Sequence, residues 1–257
     1  MTLLGRLLAH PKTRGLDLDA PETTALRREI ILSKPFLRRV YLDWYRRIAT
    51  TIPEDVDGRI LEIGSGGGFL DQVIPDVITS EVFIVPGVDL IADARELPIR
   101  TGSLKSIVMT NVFHHIADAA AFLDEAERAL AVGGRVIMIE PWNTWWSRFI
   151  HERFHDEAML PDTDTWEFPP SGPVSGANAA LAWVVVSRDR VRLERDWKFR
   201  VTESEPFMPL RYIVSGGVSL RSLQPGWIYP FWEAVDRWRP LRRNQAVFAF
   251  IVLERTD

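Results

Sequence analysis

The stretch that most limits what this chain can fold into runs from Arg59 to Leu70, R-I-L-E-I-G-S-G-G-G-F-L. Ile60, Leu61 and Ile63 make a short apolar run that reads as a buried strand. The run ends in Gly64, Gly66, Gly67 and Gly68, and the chain resumes with Phe69 and Leu70. Glycine has no Cβ, so such a turn accepts positive φ and lets the backbone approach a ligand closely. A helix after the turn would aim its free N–H groups at that ligand. This is an α/β feature, with the ligand at the carboxyl edge of a sheet.

The alternation continues to residue 140. The pattern predicts strands at 59–64, 77–82 and 104–110, a short one ending at Asp93, and a fifth, R-V-I-M-I-E, ending at Glu140. A short helix after the glycine turn stops before Pro75. A clear helix spans 117–130, with Gly133-Gly134 as its C-cap. Strands alternating with helices imply a doubly wound, mostly parallel sheet. Before residue 59, Leu26, Ile30, Phe36, Val40, Trp44 and Ile48 recur at helical spacing, with Pro35 dividing two helices. Arg27, Arg28, Lys34, Arg38, Arg39, Arg46 and Arg47 on this stretch read as a solvated face or a phosphate site. After residue 141 come an aromatic helix at 142–160 and a Pro/Gly-rich loop. Then follow a strand at 181–187, a hairpin-like or extended stretch at 190–201, irregular chain at 206–228, a helix at 230–239 and a last strand at 246–254.

The spacing of the loop narrows its ligand. A dinucleotide fingerprint needs a third glycine at position 69, which is Phe69. The pattern present is acid-x-Gly-x-Gly-x-Gly, on Glu62, Gly64, Gly66 and Gly68. An acid inside the loop repels a pyrophosphate and suits an ammonium group. The net charge of -4 gives no basic excess, so no nucleic-acid partner is expected. With no cysteine there is no thiolate nucleophile and no Cys-bound metal. The N-terminus is too short and interrupted for a signal-peptide core, and no apolar run approaches ~18 residues. A cytoplasmic protein is expected. Leu3, Leu4, Leu7 and Leu8 at helical spacing leave a peripheral membrane contact open.

Four segments in order across 59–140 carry a family resemblance: L-E-I-G-S-G-G-G-F, Glu81 at the end of the second strand, A-D-A-R-E-L-P-I at 92–99, and T-N-V-F-H-H-I at 110–116, followed by a strand ending in Glu140-Pro141. The chain resembles the class I S-adenosylmethionine-dependent methyltransferases of the small-molecule branch. The resemblance implies a Rossmann-like seven-stranded sheet with an antiparallel last strand, plus a helical and aromatic cap. The chain would be one domain over 1–257, with a helical cap at 1–55, a cofactor-binding core at 56–141, and substrate-cap inserts and completion of the sheet at 142–257. It implies a cofactor, S-adenosylmethionine, held by Glu62, Gly64, Ser65, Gly66, Gly68, Glu81, Asp93, Ala94 and Asn111. Glu62 would meet the ammonium, Glu81 the ribose hydroxyls, and Asp93 and the Ala94 backbone the adenine. Asn111 would face the methionine end.

Methyl transfer from a sulfonium chiefly requires alignment, with a base only for a protonated nucleophile. His114 and His115 are the candidates. His151 and His155, four apart, share a helical face compatible with metal ligation, but two histidines alone do not make a site and no metal is expected. Trp44, Trp142, Trp145, Trp146, Trp166 and Trp227 offer faces for a planar or sugar substrate. Arg148, Arg153, Arg211 and Arg221 offer charges for an anionic one. The expected reaction is methylation of a small acceptor, most plausibly at an oxygen of a glycan, lipid-linked or secondary-metabolite substrate. A nicotinamide oxidoreductase is disfavoured by Phe69, and a non-catalytic binding protein is the alternative.

Overall fold

Apolar residues along the central strands divide between two faces with a period of two, as a sheet covered on both sides requires. Leu61, Ile63, Ile107, Met109, Val136 and Met138 join one buried cluster, and Ile60, Val108, Ile137 and Ile139 join the other. The computed structural model describes residues 10–13, 17, 19–154, 157–169, 172, 176–222, 224–238 and 244–257. The leucines at Leu3, Leu4, Leu7 and Leu8 and the histidine His155 lie outside those residues.

The strands are β1 (Arg59–Ile63), β2 (Val77–Glu81), β3 (Leu90–Ile91), β4 (Leu104–Thr110), β5 (Leu130–Pro141), β6 (Phe199–Phe207) and β7 (Phe248–Arg255). They form one seven-stranded sheet in the order β3-β2-β1-β4-β5-β7-β6. β1 to β5 pair in parallel, and β7 runs antiparallel to both β5 and β6. This is the mostly parallel, doubly wound sheet with an antiparallel last strand that the sequence implied. The chain steps outward from β1 to β3 and returns to place β4 beside β1. The order therefore reverses at the β1–β4 crevice, where α/β sheets bind ligands.

Two helices precede the sheet, α1 (Pro21–Ser33) and α2 (Pro35–Thr51). Pro35 starts α2 at its first turn, and Lys34 between the helices is extended. On α2, Phe36, Leu37, Val40, Tyr41, Trp44, Tyr45 and Ile48 are buried, and this stripe covers one face of the sheet. The other face is covered partly by α3 (Ala119–Ala129), whose Asp118 N-cap accepts the Ala121 N–H at 3.0 Å. The aromatic helix α4 (Trp145–Phe154) follows β5. Among the described residues no helix is long and apolar enough to cross a membrane.

Several sequence expectations fail for identifiable reasons, among them the extended chain expected at 190–201, whose first part is a helix. Gly133-Gly134 does not cap α3. The helix ends at Ala129 and β5 begins at Leu130, so both glycines lie in the irregular entry to that strand, where the register with β4 shifts. The stretch 181–187 is helical, with a turn at Leu181–Trp183 running into a wider π-type turn at Val184–Arg188, then a helix at Arg190–Asp196. Val184, Val185 and Val186 are each almost fully buried. Burial on all sides erases the alternation that would separate helix from strand. The next position in the sheet belongs instead to 199–207.

Residues 208–220 are tied down by charge. Arg211 Nε donates to Asp236 at 2.7 Å, and its Nη1 reaches Asp43 on α2 at 3.2 Å and the Tyr229 hydroxyl at 2.9 Å. The Asp236 side chain is only 2% exposed. Arg211, read from sequence as a substrate ligand, is thus consumed by this network. Arg211→Ala strands Asp236 without its cation and is expected to cost about 3–5 kcal/mol, read as a lower midpoint in urea unfolding. A change within ±0.5 kcal/mol would show that the network contributes nothing.

Candidate functional site

A cavity of about 800 Å³ opens at the carboxyl ends of β1, β2, β4 and β5. α1 and α2 roof it with Thr24, Arg27, Ile31, Tyr41 and Tyr45, and the stretch from Tyr212 to Leu220 closes another side. Its size lies toward the upper end of small-molecule sites, roughly 300–1,000 Å³.

The floor at one end is the glycine turn. Gly64 is left-handed at φ 73°, and a Cβ there would collide with the Val112 side chain. The expected α-helix is absent. Two short 3₁₀ turns, Ser65–Gly67 and Leu70–Gln72, take its place. Consecutive glycines disfavour a regular helix, and the turn is held by side chains instead. Ser65 Oγ donates to the Glu62 carbonyl at 3.2 Å and accepts the Ser80 N–H at 3.1 Å. Gly66 donates its N–H to Glu81 Oε1 at 3.1 Å, beneath the methyl of Thr24. Arg28 donates to the Gly68 carbonyl at 2.5 Å, and the Tyr45 hydroxyl accepts the Phe69 N–H at 3.3 Å. Ser65 and Gly66, expected as ligand contacts, thus fasten the turn and lie off the cavity wall. Gly64, Gly67 and Gly68 line it.

Around the turn sit the acids. Glu62 is 3% exposed and lines the cavity; burial pushes its carboxyl up to about 7 against the opposing bond from Ser65. Glu81 is also raised by burial, although the Gly66 and Val82 N–H groups stabilise its charge. Asp93 lines the wall beside the buried Ala94. Its carboxylate accepts from the Arg95 N–H at 2.9 Å and from the guanidinium at 2.7 Å, which holds its pKa down. Asn111 ends β4 at φ 58°, an uncommon backbone for a residue with a side chain, and its side chain meets the Tyr41 hydroxyl. Seven of the nine expected cofactor residues therefore share one wall.

The opposite end is polar in a different way. Glu140, fully buried at the end of β5, accepts the N–H groups of Val112 at 2.8 Å and Phe113 at 2.9 Å. Its other oxygen lies 2.6 Å from His114 Nδ1. Burial alone would lower His114, but the Glu140 carboxylate, aided by Glu157, overrides it and raises the ring to about 10. His115 packs at a tilt against His114, with ring centroids 4.1 Å apart, and its Nδ1 lies 3.0 Å from the Gly176 carbonyl. That carbonyl can only accept, so Nδ1 carries hydrogen and Nε2 is the basic nitrogen. Burial and the neighbouring His114 charge hold His115 down at about 4. Glu157 faces both rings, 3.6 Å from His114 Nε2 and 4.0 Å from His115 Nε2.

Both candidate histidines are thus in the cavity, with partners that sequence reading missed. Glu140 carried a signal, a lone acid closing an apolar strand. Glu157, beyond a helix with no fixed register to β4, carried none. None of the ten tryptophans lines the cavity. Trp44, Trp142 and Trp166 are core, while Trp145 and Trp227 are exposed. Tyrosines hold the aromatic positions instead. Of the arginines proposed for an anionic substrate, Arg153 lies over the Phe149 ring and Arg148 borders a separate small pocket. Arg221 is exposed, and the cavity takes Arg27 and Arg95.

Residues 61–138 match the family model of the methyltransferase domain. A Streptomyces fradiae protein, described as an uncharacterized 37.1 kDa protein in transposon TN4556, is 33% identical over 89 residues, 34% of this chain and 24% of that protein. The match therefore spans about a quarter of the length of that curated relative. Among solved structures, a chain from the complex of the Haloferax volcanii Trm112 methyltransferase activator with a methyltransferase superposes with a TM-score of 0.56 at 13% identity, over 93% of this chain and 97% of that one. Geranyl diphosphate C-methyltransferase from Streptomyces coelicolor A3(2), solved with Mg²⁺, geranyl diphosphate and S-adenosyl-L-homocysteine, gives 0.54 at 14% identity over 97% and 92%. These likenesses establish a shared fold.

The two rings should titrate far apart in the ligand-free protein. Nitrogen NMR should show His114 as imidazolium up to about pH 10 and His115 neutral down to about pH 4. His114 has a folded pKa above its unfolded 6.5, so its contribution to stability is full below that pH and lost as pH rises through about 10. The stability difference between wild type and His114→Gln should therefore be largest near pH 6 and shrink toward pH 10. A difference that grows with pH would reverse the charge assignment.

Proposed function

We propose that this chain, which carries a methyltransferase domain on the class I, S-adenosylmethionine-dependent fold, is an enzyme that moves a methyl group from S-adenosylmethionine to an oxygen of a small, largely apolar acceptor. The observation that carries this reading is a single cavity with two unlike ends. One is a glycine turn with a buried acid whose carboxyl is pushed up to about 7, and the other is a cluster of two imidazoles and two carboxylates.

The residues at the first end fit the cofactor. Glu62 offers a buried carboxylate to an ammonium group. Gly64 and Gly68 line the cavity with backbone because a Cβ there would meet Val112 or Tyr45, and Gly67 lines it beside Arg27. Glu81 retains lone pairs for ribose hydroxyls after accepting one N–H on each oxygen. Asp93, Ala94 and Asn111 complete the wall, with Asp93 oriented for adenine by Arg95. When bound, the cofactor supplies an activated methyl group on a sulfonium.

The acceptor would occupy the other end. Ile150, Tyr212, Ile213, Val247 and Phe248 make that region apolar. A lipid-linked or secondary-metabolite acceptor fits these walls. A free glycan loses its support, because the tryptophans expected to stack on sugar rings lie elsewhere. His115 Nε2 and Glu157 are placed to accept a hydrogen bond from the acceptor hydroxyl and so orient its oxygen.

Calorimetry with S-adenosylhomocysteine tests the cofactor half directly, and absence of binding to folded protein would sink it. Glu62 must be ionised to pair with the ammonium. Below its pKa of about 7 affinity should fall by roughly tenfold per pH unit, and above it should level off. Glu62→Gln should flatten that profile. Separately, Asp93→Ala should weaken binding by about 1–3 kcal/mol; unchanged affinity would remove Asp93 from the site.

A further inference from the structure

We infer that His114, His115 and Glu157 form a binding site for one divalent first-row transition-metal ion in the wall of the cavity. Their ligand atoms all lie within 4.8 Å of one another. His114 Nε2 is 3.6 Å and His115 Nε2 is 4.0 Å from the Glu157 oxygens. Ligands at bond lengths of about 2.0–2.2 Å from one ion lie roughly 3–3.5 Å apart, so closure of the set from its spread needs shifts on the order of 1–2 Å. Glu157 lies outside the strands of the sheet, and its side chain is 28% exposed.

The second observation is how the rings are held. Each histidine has its Nδ1 engaged by an oxygen: His114 by the fully buried Glu140 at 2.6 Å, and His115 by the Gly176 carbonyl at 3.0 Å. Metal-binding histidines have this arrangement, in which a carboxylate or carbonyl on one nitrogen fixes the tautomer and turns the other toward the ion. Here both remaining nitrogens face the same carboxylate, and a bound ion would replace the proton that His114 Nε2 carries in the ligand-free protein, releasing it to solvent. The two rings are also in contact, with centroids 4.1 Å apart, and each is anchored at Nδ1.

The donor set selects the ion. Two imidazoles and one carboxylate suit Zn²⁺, Fe²⁺ or Co²⁺, whereas Mg²⁺ favours oxygen ligands. Three protein ligands leave coordination positions open, and they face the cavity. On the methyl-transfer reading above, on which this part rests, an oxygen of the acceptor fills one of them. The ion then takes over the orienting role of His115 Nε2.

The test uses protein stripped with a chelator, desalted, and titrated calorimetrically with Zn²⁺ and with Mg²⁺, with Co²⁺ followed by its visible absorption. One equivalent of Zn²⁺ is expected per chain, with Co²⁺ giving a ligand-field band that Zn²⁺ displaces, and Mg²⁺ at least a hundredfold weaker. Glu157→Gln and His115→Gln should each weaken Zn²⁺ at least tenfold while leaving S-adenosylhomocysteine affinity in metal-free protein unchanged. Wild type that takes up no stoichiometric Zn²⁺, or variants that bind it as wild type does, would overturn the site. S-adenosylhomocysteine binding without Zn²⁺ binding removes the metal and keeps the methyl-transfer reading; the converse keeps the metal and removes that reading.

Discussion

Glu140 is the interaction on which the active end of the molecule depends. A fully buried carboxylate is costly unless its lone pairs are filled. Here they are filled by the N–H groups of Val112 and Phe113 and by the His114 ring. These bonds pin the loop after β4 to the tip of β5. The pinned loop holds Asn111 in its left-handed conformation, orients His114, and sets His115 against it. Because the donors are mostly backbone, the geometry does not rely on long flexible side chains. One carboxylate thus converts the edge of a sheet into a shaped chemical surface.

The opposite end is built on another principle. The glycine turn has almost no side chains of its own, so its shape is imposed from outside. Thr24, Arg28 and Tyr45, all from the two leading helices, press on or bond to Gly66, Gly68 and Phe69. Removing Cβ atoms opens space for a ligand but also removes rigidity. The roof supplies that rigidity, so α1 and α2 belong to the site as much as the turn does.

Legibility in the sequence followed the strength of the local signal. β1, β4 and α3 could be read because their apolar residues keep a clean period and their ends are marked by glycine, asparagine or aspartate. The order of Glu62, Glu81, Asp93 and Asn111 located the cavity because each lies at or next to the carboxyl end of a strand on the same edge. The helices at 181–196 could not be read, since Val184 to Val186 are apolar all round and carry no period. Ser65 pointed inward for a reason no sequence shows: its hydroxyl ties β1 to β2 at Ser80. The tryptophans misled because a large ring serves a core as readily as a ligand. Glu157 meets the histidines through tertiary packing alone.

The place of β7 between β5 and β6 bears on how the chain is made. β1 to β5 are contiguous in sequence up to Pro141, so during synthesis they can pair as they emerge. β6 cannot join them, because its partner along its whole length is Phe248–Arg255. Until those residues leave the ribosome, the outer edge of β5 is unpaired and Phe199, Val201 and Phe207 have no sheet to rest on. Closure is thus a late, long-range event, and a nascent chain stalled before residue 248 would expose a sticky strand edge of the kind chaperones recognise.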